Sequence, residues 1–290
     1  MSESEGASES AGEGADEANV DLAGALEAVG ETGPLVTSLT NTVTVNDVAN
    51  ITLHWGGLPV MSEDEREVGE MVSIAQACLL NMGTVDEVGE ARMITAGEAA
   101  GETGIPLIVD PVGAGATGMR SRVAERLASE LDVTVLNGNY GEITALVGED
   151  AEVRGVESVG EYSEIAETAV AAAREYDTVV VASGASDVVA TADAAYELTV
   201  GDPMLGQVVG TGCMLGVTVA TFGGALGRDR PLETAIAGTA AFGLAGERAA
   251  EEGYWNGPAS YKVAFLDAVA NMTAEDVPDV SERIEQVLTV

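Results

Sequence analysis

Four short stretches hold the residues whose types and spacing could do chemistry. The first is Gly206-Gln207-Val208-Val209-Gly210-Thr211-Gly212-Cys213-Met214, followed by a helical pattern of Leu, Val, Ala and Phe. Glycines let the backbone turn tightly, and a helix N-terminus offers unpaired N–H groups, so Gly210, Thr211 and Gly212 form a candidate anion site. Phosphoryl transfer needs such donors, because charge develops on the moving oxygens. Taken alone, the stretch also reads as a glycine turn capped by Thr211. No Gly-Lys-Ser/Thr follows, which excludes the common triphosphate loop. In the second stretch, Val109-Asp110-Pro111-Val112-Gly113-Ala114-Gly115, Asp110 ends an apolar strand and could face a cation or a hydroxyl; a turn or cap is its plainer reading. In the third, Leu136-Asn137-Gly138-Asn139-Tyr140-Gly141-Glu142, Asn139 and Glu142 share one side of a first helical turn. They could hold a hydrated Mg2+, which takes few protein ligands, or simply close a capping box. The fourth is Val181-Ala182-Ser183-Gly184, a strand end with a hydroxyl.

Other reactive types lack partners in the pattern. His54, the only histidine, and Trp55 and Trp255 read as packing or surface residues. Cys78 lies in the apolar run Ala77-Cys78-Leu79-Leu80 and reads as core. With Cys213 as the only other cysteine, there is no disulfide framework.

The elements that must position these stretches alternate. Strands are predicted at Pro34–Leu39, Cys78–Met82, Leu107–Asp110, Val133–Leu136, Thr178–Ala182, Asp187–Thr191 and Ala195–Val200. Helices are predicted at Glu63–Ile74, Val85–Glu102, Ser121–Glu130, Gly141–Val147 and Ser163–Glu175, with a mostly helical region after Thr211. Such alternation predicts an α/β fold with a largely parallel sheet and helices on both faces. The close pair 187–191 and 195–200 predicts an antiparallel edge. Ligands of such sheets collect at the carboxyl ends of the strands, where all four stretches fall. Residues 1–19, rich in Ser, Glu, Gly and Ala, read as a disordered acidic tail, and 20–290 as a single domain.

Composition narrows the partners. Asp and Glu number 49 against 12 Lys plus Arg, a net charge of -37, and the only lysine is Lys262. Such a surface repels nucleic acid and anionic membrane. The acids are spread over patterned helices, which points to adaptation to high salt, where a Debye length of about 3 Å screens their repulsion. No apolar run is long enough to span a membrane and no secretion signal opens the chain, so a cytoplasmic location is expected.

The four stretches together carry a resemblance. From about Pro34 to Val277 the sequence resembles the hydroxyethylthiazole kinases of the ribokinase-like superfamily. The matching residues are Leu39-Thr40-Asn41 with Asn46 and Ala49-Asn50, Leu58-Pro59-Val60-Met61, Leu79-Leu80-Asn81-Met82-Gly83-Thr84, Val109 through Thr117, Gly138-Asn139 with Glu142-Ile143, Val209 through Leu215, and Gly257 through Asp267. Cys213 stands where other ribokinase-like kinases usually carry Asp. The resemblance implies a three-layer ribokinase-like sandwich and ATP-dependent phosphorylation of 4-methyl-5-(2-hydroxyethyl)thiazole in thiamine salvage. It implies Mg2+ and a homotrimer with sites near subunit interfaces. It places Met61 and Gly210 on the thiazole, Asn137 and Ser183 on ATP, Asp110 and Glu142 at the Mg–phosphate site, and Cys213 beside the substrate hydroxyl. Two positions depart: Asn137 replaces a usual Arg, and Gln207 a frequent Lys. At a helix N-terminus a thiol such as Cys213 is expected to ionise more readily, yet phosphoryl transfer asks little of a base, so Cys213 is expected mainly to position the hydroxyl. Another small-alcohol kinase, a nucleotide-dependent dehydratase and a non-catalytic binding module are the alternatives.

Overall fold

The computed structural model of the protein describes residues 20–61, 64–148, 162–253 and 255–290. The predicted acidic tail and the start of the helix predicted from Glu63 lie outside them. In chain order the elements are α1 (Leu22–Thr32), β1 (Leu35–Leu39), α2 (Val45–His54), β2 (Leu58–Val60), α3 (Val68–Ser73), β3 (Ala77–Asn81), α4 (Glu87–Thr103) and β4 (Leu107–Asp110). Next come α5 (Gly118–Glu130), β5 (Val135–Asn139), α6 (Tyr140–Val147), α7 (Tyr162–Tyr176), β6 (Val179–Ser183), β7 (Asp187–Ala190) and β8 (Ala194–Leu198). The chain closes with α8 (Thr211–Leu226), α9 (Pro231–Glu252), α10 (Pro258–Ala270) and β9 (Ile284–Thr289).

One nine-stranded sheet runs β2-β1-β3-β4-β5-β6-β7-β8-β9. Pairs from β2 to β6 are parallel and those from β6 to β9 antiparallel. Strands buried on both faces read as continuous apolar runs, which is why β3, β4 and β6 are plain in the sequence. Successive side chains alternate between two cores. Val36, Leu79, Ile108, Val135 and Val181 pack with α1, α2, α8, α9 and α10; Cys78, Leu80, Val109, Leu136 and Val180 pack with α3 to α7. The expected layers of helix, sheet and helix are therefore present.

Six elements depart from the sequence reading. Helices α1 and α2 and the short strand β2 were not predicted, and the region after Thr211 is not helical throughout, because it ends in β9 paired with β8. In β9, Gln286 faces inward and Val287 outward, so polarity does not alternate with burial and the period-two signal is lost. Of the helix predicted at 63–74, the described residues 64–74 form one over Val68–Ser73. Strand β5 starts and ends later than predicted, which carries Asn137 and Asn139 into the strand itself.

Two contacts set the distance between α2 and α8, the helices that flank the site. Trp55 Nε1 donates to Thr218 Oγ1 at 2.9 Å, and its ring meets Phe222 edge-on with centroids 5.6 Å apart. A buried aromatic pair of this kind adds about 0.5–1.5 kcal/mol beyond its burial. Lys262 on α10 pairs with Asp47 on α2 at 2.6 Å.

Candidate active site

The parity that divides the cores also aims the polar strand ends. Asn81 lies two residues beyond Leu79, Asp110 two beyond Ile108, Asn137 two beyond Val135 and Ser183 two beyond Val181, so all four share the face covered by α8. Asn81 and Asp110 are register partners, as are Asn139 and Ser183. A polar row thus follows the carboxyl edge of the parallel strands. Met61, half-buried just beyond β2, lies at one end, and Ser183 lies at the other.

The N-terminus of α8 sits over the middle of this row. Its N-cap is Gly210, at φ 93°, with no side chain capping the helix. The first N–H groups, those of Thr211, Gly212 and Cys213, therefore have no intrahelical partner and form the positive end of a 16-residue helix. The sequence reading of Thr211 as the cap is corrected: its hydroxyl lies 3.1 Å from Leu205 O and 3.2 Å from Val208 O, and so braces the turn before the helix. A Cβ on Gly210 would overlap Thr44 Cγ2.

Cys213 is 9% exposed, and its Sγ lies 3.4 Å from Asn41 Nδ2. Burial pushes the thiol's pKa up, and the nearby Asp110 charge pushes the same way; donors from Thr44, Asn81 and Asn41 oppose them without reversing the shift. Burial and the Asp110 charge thus favour the neutral thiol, against the expectation of one that ionises readily. Asp110 is 3% exposed, with Oδ2 accepting from Asn81 Nδ2 at 2.5 Å. Its pKa stands well above the usual carboxylate range, through burial first and the Glu142 charge second.

Asn139 and Glu142 do close the capping box. Glu142 Oε2 accepts from Asn139 N at 2.9 Å, while Oε1 accepts from Gly113 N at 2.7 Å, so the carboxylate also ties α6 to the loop after β4. Among the described residues no three His, Cys, Asp or Glu side chains converge to hold a metal ion. Asp110 and Glu142, two carboxylates close enough for one to raise the other's pKa, still fit a hydrated Mg2+ whose remaining ligands are water and phosphate.

Asn137, 1% exposed, is buried under α8. Its Nδ2 lies 3.4 Å from Gly212 O and its Oδ1 has no protein partner. Ser183 is half-buried, with Oγ 3.4 Å from Gly138 O, and Gln207 is exposed. The structure thus gathers Asp110, Asn137, Glu142 and Gly210 through Cys213, with Ser183 and Met61 further along the same edge. Three participants had no role in the sequence reading. Asn41 and Asn81 do have a signal, since Asn81 ends an apolar strand just as Asp110 does. Arg120 does not: its guanidinium donates to Met82 O at 3.1 Å, Val112 O at 2.7 Å and Gly83 O at 2.8 Å, bracing the loops after β3 and β4.

Comparison with known proteins agrees with this geometry. The hydroxyethylthiazole kinase family is matched over residues 26–275. A hydroxyethylthiazole kinase of Natronomonas pharaonis is 65% identical over 274 residues, covering 94% of this chain and 98% of the relative. The solved hydroxyethylthiazole kinase of Pyrococcus horikoshii OT3 superposes with a TM-score of 0.81 at 35% identity, over 92% of this chain and 99% of that one. A ribokinase-like superfamily protein of Enterococcus faecalis, 14% identical with a TM-score of 0.59 over 86% and 95% of the two chains, shares the fold.

Proposed function

Because the chain belongs to the hydroxyethylthiazole kinase family, we propose that it phosphorylates the hydroxyl of 4-methyl-5-(2-hydroxyethyl)thiazole with ATP, as a thiamine-salvage kinase. The observation that carries this reading is the uncapped N-terminus of α8, with Gly210, Gly212 and Cys213, set over a buried carboxylate at the carboxyl edge of the sheet. The alcohol oxygen attacks the γ-phosphorus, the bond to the bridging oxygen breaks and ADP leaves. The N–H groups of Thr211, Gly212 and Cys213 face the charge on the transferring oxygens. Met61 and Gly210 bind the thiazole. Cys213, held as a neutral thiol, orients the hydroxyl, and the alcohol proton passes late to an oxygen of the transferred phosphoryl group, as a loose transition state allows. Ser183 lies toward the nucleotide, while Asn137, buried under α8, supports the loop through Gly212 O. Asp110 and Glu142 would hold Mg2+, which supplies neutralisation of the phosphate charge.

The assembly is a homotrimer on this reading. The resemblance supports it, as do the exposed apolar side chains of Leu53 on α2 and Leu58 on β2. Among the described residues no helix is long and apolar enough to cross a membrane, and the need for ATP supports a cytoplasmic location. The net charge of -37 supports a high-salt cell.

The test is ATP consumption by the purified protein in molar KCl, with and without the thiazole alcohol. Consumption that depends on the alcohol and yields its phosphate ester is expected. Thiazole binding without turnover would overturn the kinase reading in favour of a binding module.

A further inference from the structure

Asn41 and Asn81 form a continuous hydrogen-bonded chain between Cys213 and Asp110, and backbone groups fix the orientation of both amides. Asn41 Oδ1 accepts from Val43 N and Thr44 N, each at 3.0 Å, so its Nδ2 must face inward. There Nδ2 lies 2.8 Å from Thr44 Oγ1, 2.9 Å from Asn81 Oδ1 and 3.4 Å from Cys213 Sγ. Asn81 Oδ1 also accepts from Gly83 N at 3.1 Å, which turns Asn81 Nδ2 onto Asp110 Oδ2. All five side chains are buried. Packing holds the first amide in place, since a Cβ on Gly83 would come within 2.7 Å of Asn41. The two amide dipoles therefore run head to tail, their donor ends toward the sulfur and the carboxylate.

We infer that Asn41 and Asn81 are positioning residues, a relay that holds the Cys213 sulfur and the Asp110 carboxylate in one geometry around the reacting hydroxyl. The inference rests on the kinase reading above. The relay joins four segments that are distant in sequence, the loop after β1, the ends of β3 and β4, and the start of α8. Each side chain has a donor or acceptor role that no apolar residue of the same shape could fill. Asn41 Nδ2 shares its two N–H groups among three acceptors; buried amides engaged on every side specify one arrangement, and unpaired ones are costly. Such a relay sets the rate of the chemical step more than the binding of ATP, because positioning by about 1 Å is worth about 10²-fold in rate.

The test uses the full chain with Asn41→Ala, the isosteric Asn41→Asp in case alanine does not fold, and Asn81→Ser, each checked for an intact thermal transition. With the parent turning over the alcohol, kcat should fall about 10- to 100-fold, while the KM for ATP stays within about twofold. On a Cys213→Ala background the same Asn41 change should cost clearly less, because one of its partners is already gone while Thr44 and Asn81 remain. An equal loss on both backgrounds would show that Asn41 acts only through general structure, and would overturn the proposal. A second readout needs no substrate: alkylation of Cys213 by iodoacetamide, with fully buried Cys78 as the internal control. Removing the Asn41 donor should slow Cys213 labelling threefold or more; an unchanged or faster rate also overturns the relay. If the parent itself does not phosphorylate the alcohol, the kinase reading fails, and the labelling rates alone decide the relay.

Discussion

Gly210→Ala is the sharpest probe of the loop, because the structure charges it twice. Gly210 sits at φ 93°, and holding a residue with a side chain in such a region costs about 1–3 kcal/mol. The added Cβ would also overlap Thr44 Cγ2 and lie 3.3 Å from Thr44 Cβ. Carbon atoms rest about 3.5–4.0 Å apart, so the loop and Thr44 must separate by something near 1 Å. Thr44 is buried and accepts from Asn41, so the loop is the part that moves. A shift of that size displaces the N–H groups of Thr211 through Cys213, and a misplacement of about 1 Å lowers the rate by about 10²-fold. Thiazole-dependent ATP consumption and a thermal melt, both in molar KCl, measure the two effects. The partner change Thr44→Ser removes Cγ2 and keeps the hydroxyl that Asn41 uses. The double variant should regain much of the rate but not the stability lost to the backbone. A single variant with parental kcat, or a double variant no faster than the single, refutes the reasoning.

Cys213→Ser should retain substantial activity and Cys213→Asp should not be inactive, since burial already keeps the thiol from ionising; a folded serine variant with no turnover would contradict this. Asp187 accepts from Gly184 N at 3.1 Å, and burial raises its pKa from 3.8 to about 7. The fold favours its protonated form, so that contribution is complete below about pH 4 and lost as the pH rises through about 7. In melts from pH 4 to pH 8, Asp187→Asn should therefore gain stability relative to the parent, and a constant difference would count against the shift. A Cβ on Gly184 would come within 2.6 Å of the Tyr140 ring, whose hydroxyl donates to Ser186 O. Gly184→Ala should thus shift the turn after Ser183 and raise the KM for ATP about tenfold, comparable to one lost charge-assisted hydrogen bond, with little change in KM for the alcohol. The melting temperature should rise between about 0.1 M and 2 M KCl as carboxylate repulsion is screened.

What could be read in advance follows from which physics is local. The inner strands were legible because burial on both faces makes them uniformly apolar, and Asp110 stood out as the charged end of such a run. Helix α1 was less legible, since its N-cap Asp21 adjoins the acidic tail and so merges with that composition. Strand β2 spans Leu58–Val60, too few residues to show a period. Asn137 carried a nucleotide role by resemblance, but the register of β5 turns its side chain under α8. The Asn41–Asn81 chain was hidden for a different reason. Its bonds span 40 and 172 residues, and an asparagine followed by Thr or Met looks like any turn or strand end until the sheet brings the pieces together.

The two missing cations and the acidic surface have one explanation in the way the anion site is built. A lysine or arginine side chain attracts a polyphosphate partly over distance, and at molar salt that attraction fades beyond about 3 Å. Backbone N–H groups act only at hydrogen-bond range, where screening by mobile ions is weak. A chain in high salt therefore loses little when Asn stands at position 137 and Gln at 207, provided the N-terminus of α8 is held rigidly in place. A cation beside the site, Arg120, fits this logic, because the three hydrogen bonds of its guanidinium go to backbone carbonyls of the loops after β3 and β4. It works there as a brace for the backbone. A carboxylate partner would have neutralised it, and among the described residues none is in ion-pair contact with it, so its charge still adds to the field at the carboxyl edge of the sheet.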